Sequence, residues 1–154
     1  MMSEETTSPG HPSALGGSRL AAVPMVKNEC DIIELFVRIN SRVFDFIHIL
    51  DHGSNDGTAD ILARLAAEGY ALSVTPVTDL AFNQTETTTR AVRDIARRNA
   101  FDYIMTIDAD EFLASDAETS PREVIRSLVA RDRHGAVPWR TFCPVSDTYF
   151  STAA

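Results

Sequence analysis

Residues 104–112, Ile104-Met105-Thr106-Ile107-Asp108-Ala109-Asp110-Glu111-Phe112, read as a short apolar strand that runs directly into three carboxylates. One small residue separates the first two. Carboxylates at the carboxyl end of a strand are well placed to hold a divalent cation against a diphosphate. Hard cations such as Mg²⁺ take one or two carboxylates and complete their shell with substrate phosphates. With 13 aspartates among 154 residues, a D-x-D pattern arises by chance, so its neighbours must decide what it means.

Working outward, strand and helix periodicities alternate. Leu20 to Val26 is an apolar run of strand length, and Cys30 to Asn40 sets Ile32, Leu35, Phe36 and Ile39 at helical spacing with Asn28 or Asp31 as the expected cap. Phe46 to Leu50 is a second strand. The turn-rich Asp51-His52-Gly53-Ser54-Asn55-Asp56-Gly57-Thr58 follows, then a helix carrying Ile61, Leu62 and Leu65 that stops at Gly69. Ala71 to Thr75 alternates as a short strand, and a helix over residues 84–99 buries Ala91, Val92, Ile95 and Ala96. After the strand at 103–107, Ser120-Pro121-Arg122-Glu123 is a capping box that opens a helix running towards Gly135, and Ala136 to Phe142 reads as a last strand.

This order, βαβαβαβαβ, predicts an α/β fold with a doubly wound, mainly parallel sheet. Ligands bind such sheets at the carboxyl ends of the strands. The polar segments at 26–29, 51–58 and 108–111 all fall at those ends.

Composition narrows the function classes. A formal charge of −8 and a pI near 4.9 argue against a general nucleic-acid binder. Cys30 and Cys143 are the two cysteines, with neither a C-x-x-C nor a His-rich spacing, so structural zinc has no support and a reducing compartment is expected. No run approaches the ~18 apolar residues of a membrane span, and the N-terminus lacks signal-peptide layout, which makes a cytoplasmic protein the expectation. Lys27 is the single lysine beside 13 arginines.

Each polar group also has a plain structural use. Asp56 and Thr58 suit turn and helix capping, whereas Asp51 precedes the turn and is placed to accept a nucleobase N–H. Glu29 suits a helix start, Arg90, Arg93 and Arg97 form a solvated helix face, and His48 reads as a satisfied core histidine. Trp139 and Phe142 read as packing residues. A calcium loop fails, because setting Gly57 as its glycine puts His52 and Ala63 where carboxylates are required. The D-x-D of haloacid dehalogenase-like phosphatases fails too, since Phe112 stands where those loops continue with Thr or Val.

Taken in order, the motifs resemble family 2-type glycosyltransferases of the GT-A fold. Met25-Val26-Lys27-Asn28-Glu29 resembles the M-V-K-N-E segment of a bacterial subgroup. Asp51 to Thr58 resembles its D-N-G-S-T-D-G-T turn, with His52 a departure at the second position. Ile107-Asp108-Ala109-Asp110-Glu111-Phe112-Leu113 resembles its L-D-A-D-E-F-L metal motif, and Pro138-Trp139-Arg140-Thr141-Phe142 its W-x-x-F strand. The similarity spans roughly residues 20–145.

The resemblance implies a nucleotide-sugar donor, most often uridine-linked, bound by Lys27, Asn28, Glu29, Asp51, Ser54, Asp56, Gln84 and Asp108. It implies Mn²⁺ or Mg²⁺ held by Asp108 and Asp110, and transfer to an acceptor (a glycan, lipid or small molecule) with inversion. The general base and acceptor pocket of such enzymes come from a further stretch of chain, and no catalytic base is assigned here. The expected organisation is a flexible tail over 1–18 and a nucleotide-sugar-binding domain over 19–154 with the acceptor half missing. An incomplete sheet of this kind favours self-association. The alternative expectation is a non-catalytic nucleotide-binding or interaction remnant.

Overall fold

A computed structural model describes residues 18–78, 84–98, 100–113 and 118–129. The tail expected at the N-terminus, apart from Ser18, lies outside the described residues. So do the strand expected at Ala136–Phe142 with its Trp139, and the stretch of helix expected towards Gly135.

The first apolar run forms two short strands, β1 (Leu20–Val23) and β2 (Met25–Val26), where the periodicity predicts one. Pro24 is the reason: it has no N–H to donate to a neighbouring strand. Its carbonyl still accepts the Leu50 amide at 2.9 Å. Both pieces pair in parallel with β3 (Phe46–Asp51), in one register from Ala21 opposite Phe46 to Val26 opposite Asp51. On the other edge of β3 lies β4 (Leu72–Pro76), with Ile47 opposite Leu72 and Asp51 opposite Pro76. β5 (Tyr103–Thr106) pairs with β1, Leu20 opposite Tyr103 and Val23 opposite Thr106. Among the described residues every pairing is parallel, and the sheet reads β4-β3-β1/β2-β5.

Helices cover both faces. α1 (Ile33–Asn40), α2 (Thr58–Ala67) and α4 (Pro121–Val129) bury Phe36, Val37, Leu62, Leu65 and Ile125 in one core with Leu20, Ala22, Ile47 and Ile49. α3 (Gln84–Arg97) buries Ile95 on the opposite face with Val23 and Leu50. β1 is buried at all four positions, as a central parallel strand clad on both sides must be. This is the doubly wound α/β arrangement that the alternation of periods predicts.

Two helix ends follow local rules closely, while α1 and α2 both start without a side-chain cap. Gly69, at φ 98°, closes α2 in a Schellman motif: its amide donates to Ala66 O and that of Tyr70 to Leu65 O. The Ser120–Glu123 capping box forms reciprocally, with Ser120 N–H on the Glu123 carboxylate at 3.0 Å and Glu123 N–H on Ser120 Oγ at 3.3 Å. α1 departs from expectation. Neither Asn28 nor Asp31 caps it; it starts at Ile33 without a side-chain cap, and the Glu29 carbonyl accepts the Ile32 and Ile33 amides. Asn28 is engaged elsewhere. Among the described residues no helix is long and apolar enough to cross a membrane.

The chain runs outward from β1 to β3 and β4, and α3 then carries it back to the far side of β1 for β5. The strand order therefore reverses between β1/β2 and β5, and a doubly wound sheet opens its ligand crevice at that point.

Candidate functional site

The carboxylate motif leaves the end of β5 with its side chains still alternating. Ile107 and Ala109 are each 4% exposed and join the α1/α2 core, while Asp108 and Asp110 face solvent. The small residue between the aspartates is thus a core residue, while both carboxylates stay at the surface. A tight turn holds them there. Glu111 N–H donates to Asp108 O at 3.1 Å, and the Glu111 carboxylate accepts Asp108 N–H at 3.0 Å.

The first two polar segments are laced together beside it. Asn28 takes a left-handed conformation (φ 58°), which Asn tolerates better than most residues. Its Oδ1 accepts the Asn55 amide at 2.9 Å, and its own amide donates to Ser54 Oγ at 2.9 Å. Ser54 Oγ and Ser54 N–H both donate to Asp51 Oδ1, at 2.7 and 2.9 Å, closing the turn after β3. Thr58 Oγ1 accepts the Glu29 amide at 2.9 Å and donates to Asp56 Oδ1 at 2.6 Å, while Asp56 Oδ2 accepts the Cys30 amide at 3.0 Å. Ser54, Asp56 and the Asn28 carboxamide oxygen therefore all bond within the protein; Asp56 holds the turn, while α2 itself starts at Gly57 with no side-chain cap. Asp51 is 8% exposed and uses one oxygen in the turn.

At the strand-order reversal lies a cleft of ≈ 390 Å³. Val23 and Met25 form one wall, Thr106, Ile107, Asp108 and Glu111 a second, and Gln84, Thr85, Thr88 and Thr89 from the first turns of α3 a third. Of the residues singled out in the sequence, Gln84 and Asp108 meet in this cleft. Lys27, Asn28, Glu29, Asp51, Ser54, Asp56 and Asp110 do not line it. The hydroxyl wall of Thr85, Thr88, Thr89 and Thr106 escaped the sequence reading. Its signal was the run Thr85-Glu86-Thr87-Thr88-Thr89 at a helix start, too polar for a core-facing stripe.

Electrostatics joins the loops to the carboxylate turn. The Glu29 carboxyl is pushed up from its ordinary value by burial first, then by the negative charges of Asp31, Asp110, Asp56 and Asp108. A carboxyl that feels both Asp108 and Asp110 lies in a field favouring cations. Among the described residues no three Asp, Glu, His or Cys side chains converge to cage a metal. Asp108 and Asp110 offer oxygen donors alone, which suits a hard ion that takes its remaining ligands from water and phosphate and does not suit a closed protein cage.

His48 lies on the α3 face of the sheet. Its Nδ1 is 2.7 Å from Ser73 Oγ, so it is satisfied, but it is half-buried in a groove of ≈ 440 Å³ between β4 and α3 and is not the core residue expected. Burial first, and then the charge of Arg98, push its pKa down. Arg90, Arg93 and Arg97 are exposed on α3, as a solvated face requires.

No protein-family model matches the chain, and no curated protein does. Among solved structures it is similar to the mannosyltransferase PcManGT from Pyrobaculum calidifontis in complex with GDP-Man and Mn²⁺, with a TM-score of 0.54 and 19% identity. The likeness covers 74% of this chain and 32% of that one, so the chain spans about a third of the neighbour's length. At that identity the likeness is one of fold: the chain shares its parallel α/β sheet with part of that mannosyltransferase.

Proposed function

We propose that the chain is the donor-binding part of a metal-dependent glycosyltransferase of the family 2 type, taking a nucleoside-diphospho-sugar. The observation that carries this reading is the meeting of Gln84 and Asp108 in one cleft at the strand-order reversal, with Asp110 exposed two residues further along the chain. The nucleoside is proposed to lie across the loops after β2 and β3, where Lys27, Asn28, Glu29, Ser54 and Asp56 hold the frame and Asp51 accepts a base N–H. The motif resemblance favours uridine as the base. The structural neighbour carries a guanosine donor, so both bases belong in the test.

Asp108 and Asp110 would hold Mn²⁺ or Mg²⁺. When bound, such an ion supplies Lewis-acid stabilisation of the nucleoside-diphosphate leaving group. The chain's own residues do the rest. Gln84 and the threonine hydroxyls orient the donor, Met25 and Val23 exclude water from one wall, and the Glu111 carboxylate keeps the turn closed through Asp108 N–H. Attack by an acceptor hydroxyl from the opposite face, with inversion, completes the proposed reaction and requires a general base. Glu111 is the further carboxylate in the cleft, and its bond to Asp108 N–H favours a second reading in which this chain binds the donor without turning it over.

Calorimetric titration with UDP and with GDP, each with and without Mn²⁺, tests the donor site. The expected result is metal-dependent binding that Asp110→Ala removes. Metal-independent binding, or binding that survives Asp110→Ala, sinks the assignment. Hydrolysis or transfer of a nucleotide-sugar by the purified chain separates the catalytic reading from the binding one.

A further inference from the structure

Asn40 is the last residue of α1 and has no exposed surface. It sits in the core that also holds Phe36, Ile107 and Ala109, where an apolar residue would be expected. Its Nδ2 donates to the backbone carbonyl of Glu111 at 3.4 Å, across 71 residues of sequence. Its Oδ1 is buried and has no hydrogen-bond partner among the described residues. A buried carboxamide with one arm unused costs stability, typically ~1–3 kcal/mol for the unpaired group. An apolar side chain of the same volume would remove that cost, so the other arm must serve something.

That arm reaches the carboxylate turn. Glu111 closes it by donating to Asp108 O and accepting Asp108 N–H, so a displacement of Glu111 moves Asp108 directly. One helical turn earlier, Phe36 packs against Phe112, with ring centroids 6.4 Å apart. The inner face of α1 therefore grips the segment that follows Asp110 at two points, one apolar and one polar. Packing contacts tolerate sliding, whereas a hydrogen bond to a carbonyl fixes a height.

We infer that Asn40 is a positioning residue for the cation site, setting through Glu111 the height at which Asp108 and Asp110 are presented. The inference rests on the donor-site reading above. It predicts a separation that a merely structural residue would not give: Asn40→Leu removes both the orphaned acceptor and the grip on Glu111. The fold then holds or gains stability while the cation is bound less well.

The test measures Mn²⁺ affinity by electron paramagnetic resonance in the presence of UDP or GDP, together with Tm. Expected for Asn40→Leu is a threefold to tenfold loss of Mn²⁺ affinity, roughly the range one net hydrogen bond covers, with Tm unchanged or raised. Equal Mn²⁺ affinity in Asn40→Leu and wild type overturns the inference. So does an equal loss in Phe36→Leu, which weakens the packing grip alone. A measurement on the wild type guards against a variant that does not fold: the Asn40 side-chain NH₂ resonance should shift when Mg²⁺ and nucleotide saturate the protein, and a static resonance overturns the inference. If the wild type itself binds no Mn²⁺ with either nucleotide, the donor-site reading fails first; if it binds and Asn40→Leu binds as well, only the role of Asn40 falls.

Discussion

The carboxylate of Asp56 accepts the backbone N–H of Cys30 at 3.0 Å, although 26 residues separate them. The same side chain takes the amide and hydroxyl of Thr58, so one aspartate joins the loop after β2 to the start of α2. Foremost through the Thr58 hydroxyl bond, its pKa is held well below the ordinary carboxylate value. A depressed pKa contributes stability above the unfolded value of 3.8, and that contribution is lost as pH falls through the folded value. Asp56→Ala is expected to lower Tm by a few degrees at pH 7, with the gap closing in strong acid. Amide exchange should quicken at Cys30 and Thr58 and stay slow at Ile49. Unchanged exchange at Cys30 would show that the loops hold together without this aspartate.

The same pair sets the reactivity of the thiol. The Cys30 pKa is raised, first by its side-chain hydrogen bond to Asp56 and also by the negative charges of Asp56 and Asp31. Thiolate is the reactive form, so Cys30 should alkylate slowly at neutral pH despite being exposed. In a Cys143→Ser background, Asp56→Asn is expected to move the pH midpoint of iodoacetamide labelling downward and speed labelling at pH 7. A midpoint that stays put would mean that the thiol does not sense Asp56.

Much of this was legible in the sequence because it is local. Gly69 must stop α2, Ser120 and Glu123 must cap α4, and the apolar Ile107 and Ala109 must go inward while Asp108 and Asp110 stay exposed. What escaped depends on distant partners. Pro24 reads as part of an apolar run until β3 and β5 pair beside it. Asn28 reads as a cap until Asn55 and Ser54 arrive from another loop to claim it. Asn40 has no local signature, because its meaning lies in a carbonyl 71 residues away. The cleft's threonine wall combines two elements, α3 and β5, whose meeting follows from the sheet order alone.

On the outer surface, Glu34 and Glu68 each bridge Arg38 and Arg64, tying α1 to the end of α2. Hydrogen bonds from Arg64 and Arg38 lower the Glu34 pKa to about 2. The sign is that of a depressed carboxylate: stability is present above 4.5 and lost between there and about 2. Glu34→Gln should therefore lower Tm slightly at pH 7, with the difference vanishing as pH falls through and below about 2. Because these side chains are 36–49% exposed, salt should shrink the effect. A Tm difference that persisted in molar salt would point to packing, not charge.

Core and site should separate cleanly. Leu62 is wholly buried in the α1/α2 core and does not line the cleft. Leu62→Ala is expected to cost about 2–5 kcal/mol, the usual range for opening a cavity at such a position. Denaturant unfolding reads that cost, and nucleotide affinity of the folded fraction should be unchanged. A fall in affinity beyond what partial unfolding explains would place Leu62 in communication with the donor loops.

Asp51 divides its two oxygens between fold and proposed ligand. Oδ1 holds Ser54 N–H and Oγ, closing the turn after β3, and Oδ2 has no such duty in the turn. Asp51→Asn keeps an oxygen for Ser54 and replaces the other acceptor by an NH₂ donor. The turn, and with it Tm, should survive. A nucleobase N–H would then meet a donor where it needs an acceptor, an arrangement that costs far more than a weakened contact because both groups are desolvated. Affinity for UDP, or for GDP if guanosine is the natural base, is expected to fall at least tenfold in Asp51→Asn. Affinity for inorganic pyrophosphate with Mn²⁺ should stay level. A parallel loss of pyrophosphate binding would show that the substitution disturbed the cation site instead, and an undiminished nucleotide affinity would remove Asp51 from the base-binding role.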